Sequence, residues 1–134
     1  MLMPYLAFDG QCEEAFRLYE SLLGGQVQHI SNYPETESCP ANLRGKVTNA
    51  TLVFQDGGML SGGDFPEAPR RGDALRLQMH CGAEGEARRI FAALGEGGTV
   101  LAALAVNPPP DDSSLSGALV DRFGTPWILS CPKG

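Results

Sequence analysis

The sequence predicts an α+β fold in which two βαβββ modules form a curved, cup-like mixed sheet with helices on the outside. Two internal echoes carry that expectation, together with short apolar runs set between glycine- and proline-rich turns. The first echo is helical. AFRLYESLLGGQV, Ala15 to Val27, matches ARRIFAALGEGGTV, Ala87 to Val100. Ala15 meets Ala87, Arg17 meets Arg89, Leu18 meets Ile90, Tyr19 meets Phe91 and Leu22 meets Leu94. One extra residue then sets Gly24-Gly25 against Gly97-Gly98 and Val27 against Val100. The second echo is a hairpin: FQDGGMLS, Phe54 to Ser61, parallels RFGTPWILS, Arg122 to Ser130. A lone module has a helix to cover one face of its sheet and nothing for the other. Two modules, from one chain or from a dimer, can enclose a cavity between curved sheets. The chain is therefore read as a single domain, 1–134, made of modules 1–66 and 67–134.

Taken in order, PYLAF (Pro4 to Phe8) suits a short strand, and Asp9-Gly10 offers a turn into a helix. Cys12, Ala15, Phe16, Tyr19, Leu22 and Leu23 recur at helical spacing. Glu13 and Glu14 favour the positive end of that helix, and Gly24-Gly25 closes it. Val27 to Tyr33 alternates as a second strand, followed by an aperiodic loop from Pro34 to Gly45. VTNATLVF (Val47 to Phe54) is a β-branched strand whose Asp56-Gly57-Gly58 turn leads into MLS, Met59 to Ser61. GGDFPEAPRRGD is irregular, and ALRLQMHC (Ala74 to Cys81) forms the fifth strand. Ala83, Ala87, Ile90, Phe91 and Leu94 define the second helix. Val100 to Val106 is the sixth strand, NPPPDDSSLSG interrupts it, Ala118 to Asp121 is a short seventh and PWILSC the eighth.

Composition narrows the function. A net charge of −6 argues against non-specific binding to nucleic acid or to an anionic membrane. No apolar run approaches the roughly 20 residues of a membrane span. Cys12, Cys39, Cys81 and Cys131 form no C-x-x-C pair. MLMPYLAF lacks a basic leader region, so the expectation is a cytoplasmic protein with four thiols. The glycines of LGGQV and GEGGTV follow helices, whereas phosphate-binding glycines precede them. No Ser/His/Asp or Cys/His nucleophile set is visible in the sequence.

PYLAFDGQCEEAFRLYESLLGG (Pro4 to Gly25), MLSGGD (Met59 to Asp64), FAALGEGGTV (Phe91 to Val100) and DRFGTPWILSC (Asp121 to Cys131) resemble the vicinal oxygen chelate superfamily. That superfamily includes glyoxalase I, extradiol dioxygenases and bleomycin-resistance proteins. Within it the resemblance is to the PhnB-like, or demethylubiquinone methyltransferase-like, branch, and it implies a homodimer. No glycine-rich strand-to-helix loop for a nucleotide cofactor accompanies the methyltransferase label. The superfamily's metal ligands, His or Glu, come from the first, fourth, fifth and eighth strands. Here PYLAF, MLS and PWILS supply none, and the fifth strand offers only Gln78 and His80. Where PhnB-like relatives carry a strand-three His, Asn49 stands, and Ser130 replaces their final-strand Asn. NPPPDDSSLSG takes the place of their Phe-Trp-Gly segment.

The candidate ligand-binding residues are Tyr5, Met59, Asp64, Gln78, His80 and Trp127. His80 reads as a metal ligand, a general base or a packed strand residue with one hydrogen bond. Asp64 is either a carboxylate at the pocket mouth or a turn residue. Trp127 either faces the cavity as a stacking platform or fills core against a helix, and Tyr5 and Met59 share that ambiguity of phase. His29, Glu35 and Glu37 read as surface. Two functions follow. One is a binding module for a small, partly apolar ligand that needs no metal or cofactor. The other is a divalent-metal enzyme of lyase or dioxygenase type, requiring His80 plus ligands from Glu35, Glu37 or Asp64.

Overall fold

The computed structural model describes residues 1–134 and follows the expected element order. The first half comprises β1 (Tyr5–Phe8), α1 (Cys12–Leu23), β2 (Gly25–Asn32), β3 (Val47–Phe54) and β4 (Met59–Asp64). The second comprises β5 (Leu77–His80), α2 (Glu84–Gly95), β6 (Thr99–Val106), β7 (Ser114–Val120) and β8 (Pro126–Pro132). These βαβββ sets fall in two compact units, Met1–Arg70 and Arg71–Gly134. Each unit has its own mixed four-stranded sheet, ordered β1-β4-β3-β2 and β5-β8-β7-β6. In both, the first strand runs parallel to the last, and the remaining pairs are antiparallel.

In the first unit α1 buries Cys12, Ala15, Phe16, Tyr19 and Leu23, the stripe that its apolar spacing sets out. Phe16 meets Phe8 edge-on, with ring centroids 6.1 Å apart, and Tyr19 lies beyond it at 6.2 Å. Gly24 ends the helix in the left-handed conformation at φ 75°, where a Cβ would be strained. The helix start is held from a distance. Asp64, at the end of β4, accepts a hydrogen bond from the Cys12 backbone N–H at 3.0 Å through Oδ1. Its Oδ2 accepts another from the Val47 N–H at 2.9 Å, where β3 begins. Burial, and then the nearby Asp64 and Glu13 charges, push the Cys12 thiol up to about 12, so it stays protonated at neutral pH.

Strand β4 runs three residues past the expected Ser61, through Gly62, Gly63 and Asp64. Both glycines are needed for close approach. A Cβ on Gly62 would lie 2.8 Å from the Leu6 carbonyl oxygen, and one on Gly63 would lie 2.6 Å from the Thr48 carbonyl and Tyr5 hydroxyl oxygens. The loop after β2 is pinched shut at its base, where Tyr33 N–H donates to Lys46 O and Gly45 N–H to Tyr33 O. Cys39 and Leu43 are buried within it, and Arg44 Nε donates to the carbonyls of Thr36 and Cys39. It is a loop packed by its own side chains.

In the second unit α2 buries Ala87, Ile90 and Leu94 against its sheet. Strand β5 begins at Leu77, three residues later than expected. Its only partner is β8, whose ladder with it starts at Leu77–Trp127, just after the Gly124–Thr125 turn. Strand β7, by contrast, begins four residues earlier than expected, because Ser114 to Gly117 pair with β8. The proline-rich break is confined to a loop closed by Asn107 N–H donating to Ser114 O. At the β7–β8 turn, buried Asp121 accepts from the N–H groups of Phe123 and Thr125 through Oδ1 and from Trp127 Nε1 through Oδ2.

Replacing Asp64 with alanine leaves two buried backbone donors unanswered. The expected loss is about 2–5 kcal/mol of unfolding free energy in urea denaturation. Glu67→Ala, at an exposed position, should change it by no more than about 0.5 kcal/mol.

Candidate functional site

Strand side chains alternate between faces, so one contact fixes the phase of a whole sheet. In the second unit a Cβ on Gly117 would meet the Phe91 ring of α2 at 2.8 Å. Leu115, Gly117 and Leu119 therefore face the helix, as do their ladder partners Cys131, Leu129 and Trp127. Leu77 and Met79 follow on β5. The opposite face receives Gln78 and His80 from β5, Ile128 and Ser130 from β8, and Ser114, Ser116 and Ala118 from β7.

An open cleft of ≈ 450 Å³ lies on this face, with Gln78, His80, Ile128 and Ser130 along one side. Asn107, Pro108, Asp111, Ser114 and Ser116 complete its lining. Two polar groups of side chains meet there. In the first, Ser130, only 8% exposed, accepts a hydrogen bond from Gln78 Nε2 at 3.2 Å. Its Oγ lies 2.9 Å from His80 Nδ1. The Gln78 amide nitrogen can only donate, so the serine proton is left free for the imidazole. The serine proton reaches Nδ1 in the imidazole tautomer that carries its own proton on Nε2. In the second group Asn107 bridges two serines of β7: Nδ2 donates to Ser114 Oγ at 2.9 Å, and Oδ1 accepts from Ser116 Oγ. Ser116 and Ser130 are cross-strand partners, which brings the two groups side by side. No buried side-chain nitrogen or oxygen lacks a hydrogen-bond partner.

In the first unit the corresponding phase follows from Gly62, whose Cβ would meet Phe16 of α1 at 3.0 Å. Leu60, Gly62 and Asp64 thus face the helix, and Met59, Ser61 and Gly63 face away. Tyr5 shares the face of its partner Ser61. It is about half exposed, tilted against Phe65 at 6.2 Å, with its hydroxyl held high mainly by burial and then by the surrounding Cys12, Tyr33 and Asp64. On the same face Ser61 Oγ donates to Asn49 Oδ1 at 3.1 Å.

Among the six candidate residues, then, Gln78 and His80 meet at the cleft, and Tyr5 and Met59 lie on the open face of the first sheet. Two expectations need correction. Asp64 is no pocket-mouth carboxylate: it is 1% exposed, and both its oxygens are taken by backbone N–H groups. Trp127 is no stacking platform: it faces α2, is 3% exposed and gives its ring N–H to Asp121. His29 lies exposed on edge strand β2. Ser130 enters the sequence reading only as the counterpart of the relatives' final-strand Asn, and Asn107, Ser114 and Ser116 escape it. Their signal is polar residues two apart on strands, Gln78-x-His80 and Ser114-x-Ser116, which the pleat sends to one side.

A divalent ion does not fit this donor set. No three His, Cys, Asp or Glu side chains converge anywhere in the chain. The cleft offers a single imidazole, whose Nδ1 already serves Ser130, and a single carboxylate, Asp111.

Duplicated βαβββ modules with mixed four-stranded sheets define a glyoxalase-type fold. A glyoxalase family protein of Bacillus cereus shares it at a TM-score of 0.69 and 14% identity, over 100% of this chain and 94% of the other. Within that fold the chain belongs to the family described as 3-demethylubiquinone-9 3-methyltransferase, whose sequence profile matches residues 1–130. It is similar to protein PA1353 of Pseudomonas aeruginosa, at 31% identity and a TM-score of 0.84, over 100% of this chain and 98% of the other. A PhnB protein of Bacillus cereus matches at 27% identity and a TM-score of 0.82, over 97% and 98% of the respective chains.

Donation from Ser130 to the ring has a spectroscopic signature. Nitrogen-15 NMR of His80 should show a protonated Nε2 and an acceptor Nδ1, and Ser130→Ala should return the ring to a mixture of tautomers.

Proposed function

We propose that this protein is a small-molecule binding protein whose cleft, on the open face of the second sheet, takes its ligand without a metal ion. The observation that carries the reading is the cleft's donor set: fixed amide, hydroxyl and imidazole groups beside Ile128 and Pro108, with no set of metal ligands. Gln78 Oε1 and His80 Nε2 make no hydrogen bond within the chain, so they are the groups left to address a ligand. One accepts and the other donates. The chemistry suits a small, partly apolar compound carrying both a hydrogen-bond donor and an acceptor, packed against Ile128 and Pro108. Methyl transfer, the activity in the family's description, finds no support in the strand-to-helix junctions. Each holds a single glycine, Gly10 or Gly82, rather than the glycine-rich loop of a nucleotide-cofactor site.

Tag-free protein purified without chelator should carry no stoichiometric metal by elemental analysis. Calorimetric titration with zinc, nickel, manganese or iron(II) should give no one-to-one site. About one divalent ion per chain would defeat the reading and restore the metal-enzyme alternative. In a thermal-shift screen of small amides, lactams and ketones, Gln78→Ala should weaken any hit about 10-fold, the worth of one hydrogen bond.

We also infer association with a second copy of the chain. Edge strand β6 carries no charge or proline, and its Val100, Leu101 and Val106 are each about half exposed, the kind of edge that soluble proteins ordinarily cover. Light scattering should give twice the chain mass of 14.2 kDa, and Leu101→Lys should shift the species toward the monomer.

A further inference from the structure

We propose that Ser130 and His80 form a nucleophile–base pair able to hydrolyse small, uncharged carboxylic esters, an activity that rests on the reading of this cleft as the ligand site. The pair is set by the parallel ladder between β5 and β8, in which His80 and Ser130 are direct partners. Both side chains face the cleft, and Ser130 Oγ stands 2.9 Å from the ring nitrogen that would take its proton. Gln78 matters for direction. Its Nε2 donates into Oγ and cannot receive the hydroxyl proton, so the base is the only side chain bonded to Oγ that can. Being mostly buried and rigidly paired, Ser130 loses little freedom on reaching the attacking geometry.

The steps balance without any further reagent but water. Ser130 Oγ bonds to the ester carbonyl carbon while its proton passes to His80 Nδ1. The carbon–alkoxide bond then breaks, and His80 returns the proton to the departing alcohol, leaving an acyl group on Ser130. A water molecule attacks that acyl group, giving up a proton to His80. The carboxylic acid leaves as Oγ recovers the proton. No carboxylate bonds to His80 to orient it, so the reaction is slow beside that of a full triad.

The experiment uses a fluorophosphonate probe, which forms an Oγ–P bond as fluoride leaves, with intact-mass and peptide analysis. One adduct per chain on the peptide holding Ser130 is expected. It should be absent in Ser130→Ala and form about 100-fold more slowly in His80→Gln, which keeps a polar partner for Ser130 but cannot serve as base. Hydrolysis of p-nitrophenyl acetate should fall in parallel. Ser130→Cys guards against a folding defect: its thiol should react with iodoacetamide at least about 10-fold faster than in the Ser130→Cys, His80→Gln double variant, with circular dichroism confirming both folds. No adduct, an adduct elsewhere, or equal labelling of wild type and His80→Gln would overturn the proposal. A compound that binds the cleft in the thermal-shift screen while Ser130 stays unlabelled would sink the hydrolysis and leave the binding function standing.

Discussion

Everything chemical in this protein depends on the two-residue period of its strands and on which half of each strand a helix has claimed. In both units a single helix covers one face of a four-stranded sheet. Side chains sent toward it must be apolar or fully satisfied, because no water reaches them. The other face is free to carry polar groups, and in the second unit it does. The same strand, β8, sends Trp127 and Leu129 into the core and Ile128 and Ser130 into the cleft. Shifting its register by one residue would bury Ser130 against α2 and empty the site.

Two buried carboxylates hold the units from the helix side, and they do so by different means. Asp64 reaches across its sheet to the first N–H of α1 and the first of β3, taking the place of a local helix cap; Gln11, at the cap position, makes no side-chain cap bond. Asp121 gathers the N–H groups of its own turn and the indole of Trp127. Backbone and indole N–H dipoles answer each carboxylate. Polar groups also do the work in the cleft, where the Asn107 bridge fixes Ser114 and Ser116. A ligand therefore meets side chains already ordered.

The periodic parts of this architecture were legible from residues alone. The stripe from Cys12 to Leu23 and its closing glycine gave α1 its bounds, and the repeat gave the duplicated module. Strand ends were less legible, because they are set by partners rather than propensity. Gly62 and Gly63 read as irregular until Leu6 and Thr48 are seen pressing on them, and Leu77 opens β5 only because β8 begins opposite it. In the candidate site, Gln78 and His80 could be picked out as polar residues on one strand. The strand phase that assigns Trp127 and Asp64 to the core is not encoded locally. It comes from Phe91 over Gly117 and Phe16 over Gly62, contacts far apart in sequence. The pairing of Ser130 was hidden for a similar reason, since both its side-chain partners lie 50 or more positions away.

The separation between Asp64 and Cys12, 52 positions, also has a kinetic meaning. Three hydrogen bonds of Asp121 close segments of 2, 4 and 6 positions. By the logarithmic growth of closure entropy, the longer closure is costlier by roughly 2 kcal/mol than the 6-position one. Those turn contacts of the C-terminal unit belong among the ones a chain can make at once. The Asp64 bonds of the N-terminal unit join α1, β3 and β4 across long stretches of chain and belong among its later contacts.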